Sequence, residues 1–470
     1  MGKDSITHAV ESRRDELIDV ADRIWHAPEL GLHEEAAAEL LVETLRDAGF
    51  SVETDVSGMP TAFVGTYGSA DPTVGIVGEY DALPGLSQEV TPERNPVEEG
   101  APGHGCGHNL FAAASLGAAI GVKEAIEAGD LQGTVKYFGC PAEEILVGKV
   151  FMARAGVFDD VDAALTWHPN DTTHVLRKSS LALDSIRFRF DGTAAHAAAS
   201  PESGRSALDA AQLLNTGVEY MREHIPDPVR VHYVTTEGGA APNVVPSEAE
   251  AWYYVRAPKR SSVERTTDWL TDIAEGAAEM TQTEVTRRFI TGCHQFRPND
   301  VISEVVESNA VETAASDYTD ADVELAGELQ ETLAPEDITS TVDELPGEHA
   351  ADAERTSLYA DHVPGNELGG LSGSTDVGDL SWHVPTAWLY ATTYPLGTPA
   401  HSWQAVAANG SFGAKGAIYA AKVLGGAAYD LLDDPSTLES AWEEFDAGIG
   451  EGAYECPLPP EAEPPFDIHS

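Results

Sequence analysis

Three residues able to bind a metal fall within five positions of the segment GHGCGHN, residues 103–109, where His104, Cys106 and His108 alternate with glycine. In an extended loop such alternation presents all three to one side, and the glycines let the backbone fold closely around an ion. A glycine-rich turn with surface histidines is the plain alternative, but thiol and imidazole donors this dense favour a metal. Glu143 and Glu144 follow the strand-like TVKYFGCP. Adjacent acids usually sit on a solvated face. At a strand end behind a proline, one of them can ligate an ion while its neighbour takes a proton from water. His168 ends the apolar run DAALTWHP, and His401, in PAHSWQ, precedes the last helical stretch; each is ambiguous alone. Taken together, Cys106, His108, Glu144, His168 and His401 form a donor set of the kind that binds Zn, Mn or Co. Such a set suits a two-metal hydrolase.

Donors so far apart in sequence need a scaffold that gathers them. Residues 6–24 and 34–48 carry helical apolar spacing, and FSVETDV, TAFVGTYG and PTVGIVGEY read as strands. The third is apolar up to Glu79 and opens into the loop EYDALPGL. A small-residue helix over roughly 109–126, the strand TVKYFGC and the strand DAALTWHPN continue the alternation. Strands alternating with helices predict an α/β domain with a largely parallel sheet, whose chemistry gathers at the carboxyl ends of its strands. From about residue 180 the texture changes. SLALDSIRFRFDG, VRVHYVTTEGG and SEAEAWYYVRAP alternate like antiparallel strands, with helical stretches at 206–223 and 261–281. This predicts an inserted α+β domain over 181–295, between catalytic parts at 1–180 and 296–470. Residues 312–356 are acidic and weakly patterned, and a surface helix with loops is expected there. TAWLYATTY and GSFGAKGAIYAAKVLGGAAYDLL then complete the first domain.

Composition bounds the partners. The 470 residues carry 79 Asp+Glu against 27 Lys+Arg, a net charge of −52, and only 8 of the basic residues are Lys. Nucleic acid and anionic membrane surfaces are excluded as partners, because both need a basic patch. The acids are spread along the chain, as in a protein kept soluble in molar salt, where the Debye length is about 3 Å. No D-x-D-x-D-G loop supports a calcium-binding role. The four cysteines form no close-spaced framework. No run approaches the roughly 18 apolar residues of a membrane span, and the polar start of the chain reads as that of a soluble, cytoplasmic protein.

GHGCGHN, CPAEE, WHPN and PAHSWQ, in this order, resemble the M20 family of metallopeptidases and amidohydrolases, in its subgroup with Cys in the metal motif. EYDALPGL (79–86) and GSTDVGDLSW (373–382) resemble its p-aminobenzoyl-glutamate hydrolase branch. The likeness runs from about residue 10 to about 445. It implies a di-metal catalytic domain with a mixed, largely parallel sheet and an inserted, ferredoxin-like lid that forms a dimer. It implies that Cys106, His108, Glu144, His168 and His401 hold two divalent ions, that Glu143 is the general base, and that Asp81 orients a ligand from behind. His104 matches no ligand. His196 falls at the position of a lid histidine that reaches the partner subunit's site and steadies the oxyanion. Asn243 and Arg256 match positions that bind a substrate carboxylate, a role for which the forked guanidinium is suited. The function so implied is hydrolysis of an amide in a small N-acyl amino acid with a free carboxylate. The alternatives are a dipeptidase of the same fold, or a silent small-molecule-binding subunit. A homodimer is expected, with a heteromer as the alternative.

Overall fold

The computed structural model describes residues 2–448 and 454–469. Strands β1 (Ser51–Thr54), β2 (Phe63–Gly68), β3 (Thr73–Glu79), β4 (Thr134–Cys140), β5 (Ala163–Asn170) and β6 (His174–Val175) come first. They are followed by β7 (Ala182–Asp191), β8 (Arg230–Glu237), β9 (Glu248–Ala257), β10 (Glu284–Cys293) and β11 (Thr386–Thr392). Two sheets result, and the chain divides into two compact units. The first unit comprises Met1–Ser179, Arg297–Gly370 and Leu380–Tyr454; the second comprises Ser180–Phe296, Leu371–Asp379 and Glu455–Ser470.

The sheet of the first unit runs β1-β2-β4-β3-β5-β11-β6. Its centre is parallel: β3 pairs with β4 and β5, and β5 with β11. The pairings at the edges, β1 with β2, β2 with β4 and β11 with β6, are antiparallel. Strands β3 and β11 are buried along their whole length, which is why they read as near-continuous apolar runs. Parallel order sends β3, β4, β5 and β11 out of the sheet at one end, and the loops after them carry the candidate site residues.

The helix His108–Glu127 begins inside the metal motif and packs against the helix Ser411–Asp433 and β3. Contrary to the sequence expectation, it is long and apolar enough to cross a membrane by composition, yet 89% of its most apolar stretch is buried inside the protein. A helix apolar all round is what such a central position demands. The helical stretch expected over 6–24 is two helices, Asp4–Ser12 and Arg14–His26, broken at Arg13 (φ −108°, ψ 9°). Apolar periodicity is insensitive to a break of one residue.

The acidic stretch departs further from expectation. It forms three helices, Asp320–Gln330, Pro335–Glu344 and Glu348–Ala353. The apolar residues buried from this stretch, Ala326, Leu329, Val342, Leu345 and Ala353, sit in two small clusters that also hold Tyr394 and Leu396. One or two buried apolar side chains per helix left no periodic signal, although they suffice to seat each helix.

The second unit is β7, helix Ala207–Arg222, β8, β9, helix Arg260–Thr281 and β10, with strand order β10-β7-β9-β8 and every neighbour antiparallel. This is the split β-α-β ferredoxin-like arrangement. Residues alternate along β9 between the buried core face and a half-buried face. Strand β10 escaped the sequence reading because its first half is exposed and carries Arg287 and Arg288; only its last four residues are buried.

Candidate metal centre and active site

The glycine-rich motif is a turn. Gly105 N–H donates to Gly103 O, and Gly107 N–H to His104 O. Gly107 has φ 68°, and a Cβ there would lie 2.7 Å from Tyr394 Oη, so only glycine fits. The turn undoes the expected presentation of three donors to one side. His104 faces away, buried, with Nε2 3.2 Å from Ile24 O. Burial, with His108 nearby, pushes its pKa down to about 4, as for a neutral structural histidine. Cys106 and His108 face the site, both buried.

The remaining donors converge on them. The ligand atoms of Cys106, His108 and His168 lie within 4.8 Å of one another; so do those of Cys106, Glu144 and His401, and those of Glu79, His108 and Glu143. Cys106 is common to the first two groups and His108 to the first and third. His401 Nε2 is 3.3 Å from Glu144 Oε2, and His108 Nε2 is 3.9 Å from Glu143 Oε2. His401 precedes the short helix Trp403–Ala407 rather than the last helix, and two further helices follow it. It has φ 60°, and its N–H donates to Gly105 O, so the loop after β11 is tied to the metal motif through the backbone.

Asp81 organises two of these groups from behind. Its Oδ1 is 2.8 Å from His108 Nδ1, and its Oδ2 accepts the Glu144 N–H at 2.8 Å. That contact leaves His108 Nε2 turned to the cluster, where it is buried without a hydrogen-bond partner among the described residues, as is Glu144 Oε1. His168 Nδ1 lies 2.7 Å from Pro169 O, which likewise leaves Nε2 for ligation. One thiol, three imidazoles and a carboxylate, with buried atoms left unpartnered, fit divalent metal ions.

Burial dominates the electrostatics. It raises Glu144 to about 8, against the pull of His108, and with the carboxylates of Glu144 and Glu143 it pushes the Cys106 thiol well above its usual value. Burial opposes charge on His108, but the hydrogen bond to Asp81 and the surrounding acids outweigh it and raise that imidazole to about 10. His168, buried and beside His108, falls to about 3. The site therefore holds more acid than it can leave ionised without added positive charge.

Three buried residues here were not singled out from sequence. Glu79 ends β3, its Oε2 3.5 Å from His108 Nε2, and burial raises it to about 7 against the attraction of Lys149. Lys149, fully buried, pairs with Glu79 Oε1 at 2.8 Å. Glu34 is fully buried behind the turn that carries Glu143. An acid closing an apolar strand is a usable signal for Glu79. Nothing in the sequence distinguishes Lys149 or Glu34 from surface charges.

The other expected residues belong to the second unit. His196 is exposed, its Nδ1 accepting the Ala198 and Ala199 N–H groups, and Ala197 N–H donates to Asn243 O, so His196 and Asn243 share one corner. Arg256 lies on β9, its guanidinium 5.4 Å from the Tyr254 ring centroid, and its Nε is buried without a hydrogen-bond partner among the described residues.

Residues 180–281 match the family model of a peptidase dimerisation domain. The chain is 38% identical over 470 residues to one of the p-aminobenzoyl-glutamate hydrolase subunits of Escherichia coli (strain K12), covering 98% of each. It is 30% identical over 461 residues to Xaa-Arg dipeptidase of Mus musculus, covering 94% of this chain and 91% of the other. A solved structure, a dinuclear metal binding peptidase of the M20 family from Bacillus subtilis, superposes with a TM-score of 0.56 at 17% identity over 90% of this chain and 99% of that one. Fold, donor set and relatives agree on the class, a metal-dependent hydrolase of amide bonds. The chain belongs to the M20 family of metallopeptidases and amidohydrolases.

Proposed function

We propose that the protein hydrolyses the amide of a small N-acyl amino acid carrying a free carboxylate, of the aminobenzoyl-glutamate type. The observation that carries this is Glu143 set beside the cluster of Cys106, His108, Glu144, His168 and His401, closed on its outer side by the exposed His401, at the carboxyl end of a parallel sheet. Those five residues would hold two divalent ions, Zn, Mn or Co. When bound, such ions polarise a carbonyl and acidify water. Glu143 takes a proton from the attacking water as its oxygen bonds to the amide carbon. It then delivers that proton to the amine nitrogen as the C–N bond breaks, releasing a carboxylate and an amine. Asp81 keeps the His108 ring oriented and fixes the Glu144 backbone throughout. His196, supplied by the partner protomer, stabilises the oxyanion, while Asn243 and Arg256 bind the substrate carboxylate. The dimerisation-domain match supports a homodimer built on the second unit, which then acts as a lid; the naming of the Escherichia coli relative as one of several subunits keeps a heteromer as the alternative. We place the protein in the cytoplasm.

The test is to strip the protein with chelator in high salt, restore Mn, Zn or Co, and assay p-aminobenzoyl-glutamate and other N-acyl amino acids beside dipeptides. Turnover on the N-acyl panel is expected to return with metal, and Glu143→Gln should lower kcat by about 10²–10⁴-fold. Full turnover by Glu143→Gln would overturn the mechanism. Preference for dipeptides would favour the second reading, which the 30% identity to a dipeptidase supports. Metal uptake with no turnover on any amide would mark a silent small-molecule-binding protein.

A further inference from the structure

Glu34 stands at the N-cap of the helix Glu35–Asp47, yet its side chain makes no cap hydrogen bond. Glu29 does that work instead, its carboxylate accepting the Ala36 and Ala37 N–H groups. Glu34 is turned inward, fully buried. Its Oε1 accepts the Ala142 N–H at 2.7 Å, and its Oε2 accepts the Thr61 hydroxyl at 3.0 Å. Ala142 has φ 59°, a left-handed conformation that a residue with a Cβ rarely adopts. It is the residue that swings the chain out of β4 into the turn Glu143–Ile145. Two amides of this turn are thus held by buried acids from other loops, Ala142 by Glu34 and Glu144 by Asp81. The two loops are joined to each other, since Ala82 N–H donates to Glu29 O. Gly31 completes the seat, for a Cβ there would lie 3.0 Å from Ala142 Cα.

We infer that Glu34 is a positioning residue. By holding Ala142 in its left-handed state, it aims Glu143 at the reacting amide and Glu144 at the metal. The inference rests on the roles proposed above for Glu143 and Glu144. It requires reach and a hydrogen-bond acceptor at Glu34, not charge.

Two substitutions separate these requirements. Glu34→Gln keeps the reach and an acceptor oxygen. Glu34→Asp keeps the acid but withdraws it by one methylene. The full-length protein is measured for kcat and KM on the best N-acyl substrate, and for Mn affinity by calorimetry on the chelator-stripped form. E34Q should stay within about threefold of wild type in both. E34D should lose about 100-fold in kcat, the scale of a misplaced catalytic group, with KM little changed and Mn binding weakened. Adding Ala142→Gly to E34D should restore about tenfold in kcat and part of the Mn affinity, because glycine adopts the left-handed state unaided. The inference is overturned if E34D performs as well as E34Q, or if Ala142→Gly restores nothing. It is also overturned if E34D lowers thermal stability alone, with kcat and Mn affinity kept in the folded fraction. Should wild type turn over no amide, the substrate reading fails, and the Mn affinities of the same variants still decide the role of Glu34.

Discussion

At Cys106, His108 and Glu144 the surroundings favour the protonated forms near neutral pH: the thiol is raised far, the imidazole to about 10 and the carboxyl to about 8. A divalent ion needs all three deprotonated. Metal binding at pH 7 is therefore expected to release protons, and affinity should weaken as pH falls, because each proton competes with the ion. Calorimetric titration in two buffers of different ionisation heat measures the release; identical heats in both would sink the expectation. Lys149 sets a second prediction at this scale. Its ammonium pairs with Glu79 in the core, and removing one partner of a buried pair leaves the other charge uncompensated. Lys149→Met should destabilise the metal-free protein by about 3–5 kcal/mol, and adding Glu79→Gln should recover most of that. Urea unfolding of the single and double variants reads both numbers.

Among the elements, the acidic helices of 320–353 matter through what they touch. Gln330 Nε2 donates to Leu396 O, and the Thr341 hydroxyl donates to Asp171 Oδ2, which also accepts the Gly397 N–H in the loop that leads from β11 to His401. The helix Asp320–Gln330 starts with a capping box, Thr319 and Asp322 bonding each other's backbone N–H groups, and Lys415 Nζ lies 2.7 Å from Asp322. Burial opposes the charge on Asp322, but the bonds to Lys415 and Thr319 outweigh it and hold the carboxyl far below its usual value. A depressed acid stabilises the fold at any pH above its unfolded value of about 3.9 and loses that contribution as pH falls below it. Asp322→Asn should therefore cost stability at pH 7 and flatten the acid side of the stability curve below about pH 4. Thr319→Ala should cost about 1 kcal/mol. Thermal melts across pH check both, and an unchanged acid limb in Asp322→Asn would count against this account. These helices were expected as one. Their buried apolar residues are too few to set a period; the capping box Thr319-x-x-Asp322 is a local signal for one helix only, and the lysine that pairs with it, 93 residues away, has no local signature.

At the scale of the molecule, −52 charges on 470 residues repel one another whenever salt is dilute. Raising KCl from 0.1 M to 2 M should raise the melting midpoint, each kcal/mol of relieved repulsion being worth about 2–4 °C in a domain of 150–250 residues. A flat or falling midpoint would count against an acidic surface adapted to salt. The charge bears on solubility and stability rather than on the chemistry proposed for the metal centre.

What the amino-acid sequence determined alone is the class of chemistry, together with a candidate set of residues to carry it. A thiol, imidazoles and paired acids in motifs of fixed order mark a metal-dependent amide hydrolase, and buried parallel strands read as apolar runs because both faces are covered. Local spacing also suggested things that the folded chain does not do. His104 alternates with two candidate ligands, but the turns at Gly105 and Gly107 send it to Ile24. Asp81 was expected behind the site from the sequence, but only the tertiary structure decided which other charged groups stand there. Lys149 and Glu34 look like surface charges in a chain with so many, and they lie beside the site because the crossing of loops at one end of the sheet removed water from them. Burial is a property of the whole packing, and it turns an ordinary carboxyl into one that must find a partner.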